Sequence, residues 1–173
     1  MGKVLSAFTN GLPGAVSRAV DDIIISMKNT GAEDVPFGAP VFLASGGAKG
    51  FDVSSPQAFS AFLGFAVRSA SMTPDAYPAG QDMGRELSSG EGNRGCWKAG
   101  DVMEILVRGT IALPLNQAGQ TGAPVYIRKS DGALTTYAGT EGSTVLLENV
   151  RVRNPWDSRS LCAEAVVSRR NII

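Results

Sequence analysis

At 173 residues the chain suits one domain with its own core, and 43% of it is hydrophobic, a share close to that of ordinary globular proteins. Sixteen basic residues balance sixteen acidic ones, which removes any global field that would draw the chain to nucleic acid or an anionic membrane. Charged residues are only 18% while glycine reaches 21, a combination suited to many short strands joined by turns.

Residues 1–20 carry Gly2, Gly11, Pro13 and Gly14 without a steady period and read as an extended N-terminal arm. They lack the uninterrupted apolar core of a signal peptide, so synthesis in the cytoplasm is expected. The run Ile23-Ile24-Ile25 is a short β-branched strand closed by Asn29-Thr30-Gly31. Residues 37–43 (FGAPVFL) form a second strand candidate, which Pro40 assigns to an edge or a bulge. Ser55 and Pro56 are placed to open one helical turn. Residues 61–68 (AFLGFAVR) follow as a buried strand whose Gly64 marks a bulge or a close backbone approach.

From Ser69 to Gly100 the pattern changes. Pro74, Pro78 and six glycines fill an insert without a β-branched cluster, and loops beyond about 12–15 residues tend to be functional or disordered. The β pattern then returns. Residues 101–111 (DVMEILVRGTI) place Met103, Ile105 and Val107 on one face and break at Gly109. Residues 123–129 (APVYIRK) turn at Ser130-Asp131-Gly132 into Leu134–Tyr137, a hairpin with a favoured Asp-Gly pair. Residues 145–153 and 161–167 supply the last strands. Strands at this spacing without helical patterns predict a mostly β, single-domain sandwich or barrel, with the jelly roll among the options, spanning residues 21–173.

Catalytic chemistry has little to build on. The absence of histidine removes the usual nucleophile–base pairs and the commonest zinc ligand. Cys96 and Cys162 lie far apart without CxxC spacing, so no metal site is expected, and the default is two free thiols. Asp21-Asp22 and Glu33-Asp34 are adjacent acids that an extended segment points to opposite sides. Residues 90–95 (GEGNRG) match GxGxxG but lack the preceding strand and following helix that a dinucleotide site needs. Residues 45–50 (SGGAKG) lack the order of a phosphate loop and read as a turn. The expectation is a non-enzymatic protein without catalytic residues or cofactors.

The C-terminal stretch from Arg151 holds five arginines against two acids, and Arg151 and Arg153 share one strand face. The plain reading is a solvated strand edge; the alternative is a basic contact with a partner. Trp97 sits in the Gly-rich insert and Trp156 in an Asn-Pro-Trp turn, where tryptophan serves either as an anchor of its own loop or as an interface hot spot.

The order of the segments resembles the structural cement (decoration) proteins of tailed bacteriophages. The resemblance is carried by Gly11-Leu12-Pro13-Gly14 ahead of the Ile-Ile-Ser strand, by residues 36–41 (PFGAPV), and by residues 62–68 (FLGFAVR). It continues in Gly100-Asp101-Val102 leading to Val107-Arg108-Gly109, and in residues 122–126 (GAPVY). It spans nearly the whole chain, although the insert at 69–100 is longer than the family pattern.

The resemblance implies a β-rich fold on the outer face of an assembled capsid, with the major capsid protein and further copies of this chain, as dimers or trimers, for partners. On that reading the contacts fall on the two aperiodic segments and the basic strand: Leu12, Pro13, Val16 and Arg18 in the arm, Tyr77 and Trp97 in the insert, and Arg151, Arg153 and Trp156 near the C-terminus. Rival readings are another virion β-domain, of tail or head–neck, and a carbohydrate-binding β-sandwich.

Overall fold

The computed structural model describes residues 11–68, 95–115, 119–157 and 162–169, and of residues 18–20, 156 and 157 the backbone alone. It is mostly β, as the alternation of residues predicts. The strands are β1 (Val16–Lys28), β2 (Val35–Pro36), β3 (Pro40–Ala44), β4 (Gly47–Gly50), β5 (Phe62–Ala66) and β6 (Cys96–Trp97). They continue with β7 (Val102–Leu113), β8 (Pro124–Arg128), β9 (Leu134–Thr135), β10 (Thr144–Asp157) and β11 (Cys162–Val167). A short 3-10 turn, Phe59–Ala61, precedes β5.

Strand β7 organises the fold. Along one edge it pairs antiparallel with β1; its other edge is shared by β5 near its start and β11 towards its end. Ile111 faces Val16 of β1 and Ala165 of β11 at once, so the two partners lie on opposite edges. From β7 the pairing runs through β5, β3 and β4, and returns to the end of β1 through a bridge between Asn29 and Ala48. It also runs through β11, β10, β8 and β9, and returns through a bridge between Leu115 and Leu134. Two barrel-like rings thus share β7.

The alternation of residues builds a core on each face of the β3–β5–β7 layer. Val41, Leu63, Ala66, Met103, Ile105 and Val107 point into the first ring, beneath the β2–β6 pair. Phe42, Phe62, Phe65 and Leu106 point the other way, against Val125, Leu147, Val150 and Ala165 of the second ring. Met103, Ile105 and Val107 therefore share a face as their spacing predicts. Leu106, on the opposite face with Glu104 and Arg108, is buried by the second ring.

Four local expectations need correction. The arm does not extend to residue 20, because Val16 begins β1 and hydrogen-bonds along β7. Of the two places expected for Pro40, the edge is overturned, because it opens an interior strand between β4 and β5. The bulge agrees with the register shift against β5 between Val41 and Phe42, and the missing N–H is tolerated at the first strand position. The helical turn forms at Phe59, because the Asp52 carboxylate takes the backbone N–H groups of Ser54 and Ser55 and holds that stretch as a loop. Gly109 does not break β7. At φ +131° it leaves room for Asp22, whose Oδ1 accepts the N–H of Thr110 at 3.3 Å.

Gly64 is the close approach that its position in a strand suggests. A Cβ there would lie 2.0 Å from the carbonyl oxygen of Leu106.

Candidate docking site

The Gly-Leu-Pro-Gly segment folds as a tight turn, with the N–H of Ala15 donating to the carbonyl of Leu12 at 2.9 Å. Its last residue needs to be glycine for two reasons. Gly14 has φ +78°, and a Cβ would sit 2.9 Å from the Ala66 carbonyl, the Gly38 nitrogen and Phe37 Cβ. From that position the N–H of Gly14 donates to Ala112 at 2.9 Å and its carbonyl accepts from Arg68 at 2.8 Å.

Phe37 lies at the centre of this junction. Its own N–H donates to the Gly95 carbonyl at 3.2 Å, and the Arg68 guanidinium sits 5.4 Å from its ring centroid. Trp97 meets the same ring edge-on, with centroids 6.0 Å apart, and its indole N–H donates to the Val67 carbonyl at 3.0 Å. Gly95, at φ +67°, packs so closely that a Cβ would come within 2.4 Å of the Phe37 ring. Arg68 and Gly95 flank residues 69–94. The residues that flank that segment and the N-terminal turn therefore meet in one neck around Phe37.

The loop after the neck is fixed by Asp34. Its carboxylate accepts the N–H of Ala99 at 3.1 Å and pairs with Lys98 at 3.2 Å. The Ala99 N–H and then Lys98 hold Asp34 below the ordinary carboxylate range, and the same pair raises Lys98. Cys96 Sγ lies 3.6 Å from Asp34. Burial and then the Asp34 charge push its thiol up, away from the thiolate needed for nucleophilic chemistry.

A second cluster joins the first strand to the last. Glu164 of β11 is 4% exposed, accepts from Ser17 of β1 at 2.6 Å and bonds Asn154 of β10. Glu164 pairs with Ala112 of β7, so its bond to Ser17 of β1 spans that strand. Arg153 approaches Glu164 at 3.9 Å from the solvent side.

The predicted contact residues separate accordingly. Leu12 is half-buried in the turn, Pro13 is buried, and Val16 packs against the second core. Trp97 is buried, so it is the loop anchor and not an exposed contact; its ring is consumed by Phe37 and Val67. Arg151 and Arg153 are exposed on β10, next to each other in alternation. Arg18 lies in β1 and Trp156 in β10, with side chains outside the described residues, as is all of Tyr77. The neck residues Phe37, Arg68 and Gly95 were not among the expected contacts. Their signal is the glycine after Phe37 and the glycine at the end of the insert, whose positive φ values the sequence alone does not show.

Of the adjacent acids, Asp21 faces Arg108 at 3.7 Å while Asp22 turns inward to Gly109. Residues 45–50 are the turn expected of them and also contribute β4. Most of the GxGxxG match lies outside the described residues. Among those described, no three His, Cys, Asp or Glu side chains gather as a metal set, and no helix is long and apolar enough to cross a membrane.

A family profile described as structural cement protein (E217 gp24/Pam3 gp6) matches residues 3–167. A chain from the capsid of Myoviridae phage XM1 superposes with a TM-score of 0.68 at 15% identity, covering 97% of this chain and 96% of that one. This likeness is one of fold. No curated protein matches the chain.

Proposed function

Because the chain belongs to the phage structural cement proteins and so has a structural role in the virion capsid, we propose that it binds the outer surface of the assembled head and clamps neighbouring major capsid protein subunits. The observation that carries this reading is the neck. Gly14, Arg68, Gly95 and Phe37 bring the roots of both aperiodic segments to one place, tied by hydrogen bonds of 2.8 and 3.2 Å.

On this reading residues 2–10 and 69–94, whose flanking residues meet at the neck, contact two neighbouring subunits together. The second contact is then intramolecular and benefits from a high effective concentration. Binding of this kind raises the free energy needed to separate subunits without any bond making or breaking, which is why no catalytic group is assigned. Arg151 and Arg153 on the exposed face of β10 supply a basic strip for the same partner, and further copies of the chain complete a dimer or trimer. Trp97 and Pro13 are withdrawn from the contact set because both are buried.

The test mixes purified protein with empty phage heads and images them by electron cryo-microscopy. Decoration of the outer surface at subunit junctions is the expected result; bare heads, with density on isolated tails imaged alongside them, support the other virion reading. Deletion of residues 2–10 should abolish decoration and leave the unfolding transition in place. A deletion carried to residue 20 would cut into β1 and test folding instead.

A further inference from the structure

The loops of the second ring border a feature lined by none of the proposed contact residues. Between the β8–β9 hairpin and the start of β10 lies an open depression of about 510 Å³. Tyr137 stands in its wall with 61% of its surface exposed, far more than an aromatic ring packed into a core. The hydroxyls of Thr135, Thr140, Ser143 and Thr144 share the lining, with Lys129 and Arg128.

These groups are held in place before any ligand arrives. The Tyr137 N–H donates to Thr135 Oγ1 at 3.2 Å, and Thr144 Oγ1 donates to the Ala138 carbonyl at 2.5 Å. Ser143 Oγ donates to the Thr140 carbonyl at 2.6 Å, while the Lys129 N–H donates to the Ser143 carbonyl at 2.9 Å. Hydroxyls whose protons are committed to carbonyls keep lone pairs for incoming donors. Arg128 is engaged by Asp131, whose carboxylate raises its pKa. Lys129, half-buried, has no acidic partner among the described residues.

We propose that this depression binds a carboxylate-bearing saccharide. The ring of Tyr137 offers an apolar face for the C–H side of a pyranose, the hydroxyl oxygens accept sugar O–H groups, and Lys129 meets the carboxylate. The volume falls in the ordinary range of small-ligand sites, roughly 300–1,000 Å³. A flat hydrocarbon ligand would leave the polar lining unpaired, and an inorganic anion would leave Tyr137 without a role. The site draws on β8, β9 and the loop into β10, and none of its residues belongs to the neck, so it does not depend on the docking assignment.

The test is saturation-transfer NMR on the full chain with D-glucuronate and D-glucose as probes. Glucuronate should bind and outcompete glucose; Tyr137→Ala should weaken it by about tenfold or more, with Tyr137→Phe retaining it. Lys129→Gln should erase the preference for glucuronate over glucose. No transfer to either sugar, equal binding of the two by the native chain, or full binding by Tyr137→Ala overturns the proposal.

Discussion

The carbonyl of Gly14 accepts the N–H of Arg68 at 2.8 Å, joining the turn before β1 to the residue at which the chain leaves β5. Fifty-four residues of sequence separate the two partners, and neither is a group that carries chemistry. Their contact exists because a glycine at φ +78° can press its backbone between Ala66 and Phe37. Gly14→Ala meets both the left-handed strain and three atoms at 2.9 Å, two of them backbone, so the turn must move off the sheet. We expect a loss of about 2–3 kcal/mol in urea unfolding and weaker decoration of empty heads. Unchanged decoration by a folded Gly14→Ala protein would separate the neck from capsid binding.

Gly64 makes a harder demand than a turn glycine. Its Cβ position lies 2.0 Å from the Leu106 carbonyl, and both strands are interior, so neither can retreat cheaply. Gly64→Ala should cost about 3 kcal/mol or more, or prevent folding. Gly46→Ala is the control: φ is +75° but nothing lies within 4 Å, so a cost near 1 kcal/mol is expected. Thermal unfolding of the two variants separates loss of space from backbone strain.

The contrast between these glycines explains what the sequence made legible. Gly64 sits inside an apolar strand pattern, where a missing side chain points to a neighbour's backbone. The face shared by Met103, Ile105 and Val107 is equally local, a two-residue period that survives into the core. What was not legible depends on partners distant in sequence. Residues 16–22 (VSRAVDD) have no clean alternation, and they form a strand only because β7 offers an edge and Gly109 admits Asp22. Trp97 gives no sign of facing inward until Phe37, some sixty residues earlier, is placed beside it. The candidate site suffers most, because a neck made of chain crossings has no motif of its own.

Glu164 tests how firmly β1 and β11 are joined. A buried carboxylate that loses one donor keeps its desolvation cost, so Ser17→Ala should destabilise by about 1.5–3 kcal/mol. In a Glu164→Gln background the same change should cost less, since a neutral amide is less costly to leave short of a partner. A double-mutant cycle measured by chemical denaturation gives the coupling; additive effects would mean that Ser17 and Glu164 act separately.

Asp52 gives a prediction in pH. The Ser54 hydroxyl, and then Lys49, lower its pKa from 3.8 to about 2, so the folded chain favours the charged form. A depressed carboxylate contributes stability that is fully present above its unfolded value near pH 4 and is lost as pH falls through about 2. The Ser54 and Ser55 amides, which donate to Asp52 Oδ1 at 3.0 and 3.2 Å, should report that titration directly. Their NMR shifts should stay flat from neutral pH to about 3 and then move together with a midpoint near 2. In Asp52→Asn the step should vanish. A midpoint near 4 in the native chain would mean that the Ser54 and Lys49 contacts do not hold the carboxylate in solution.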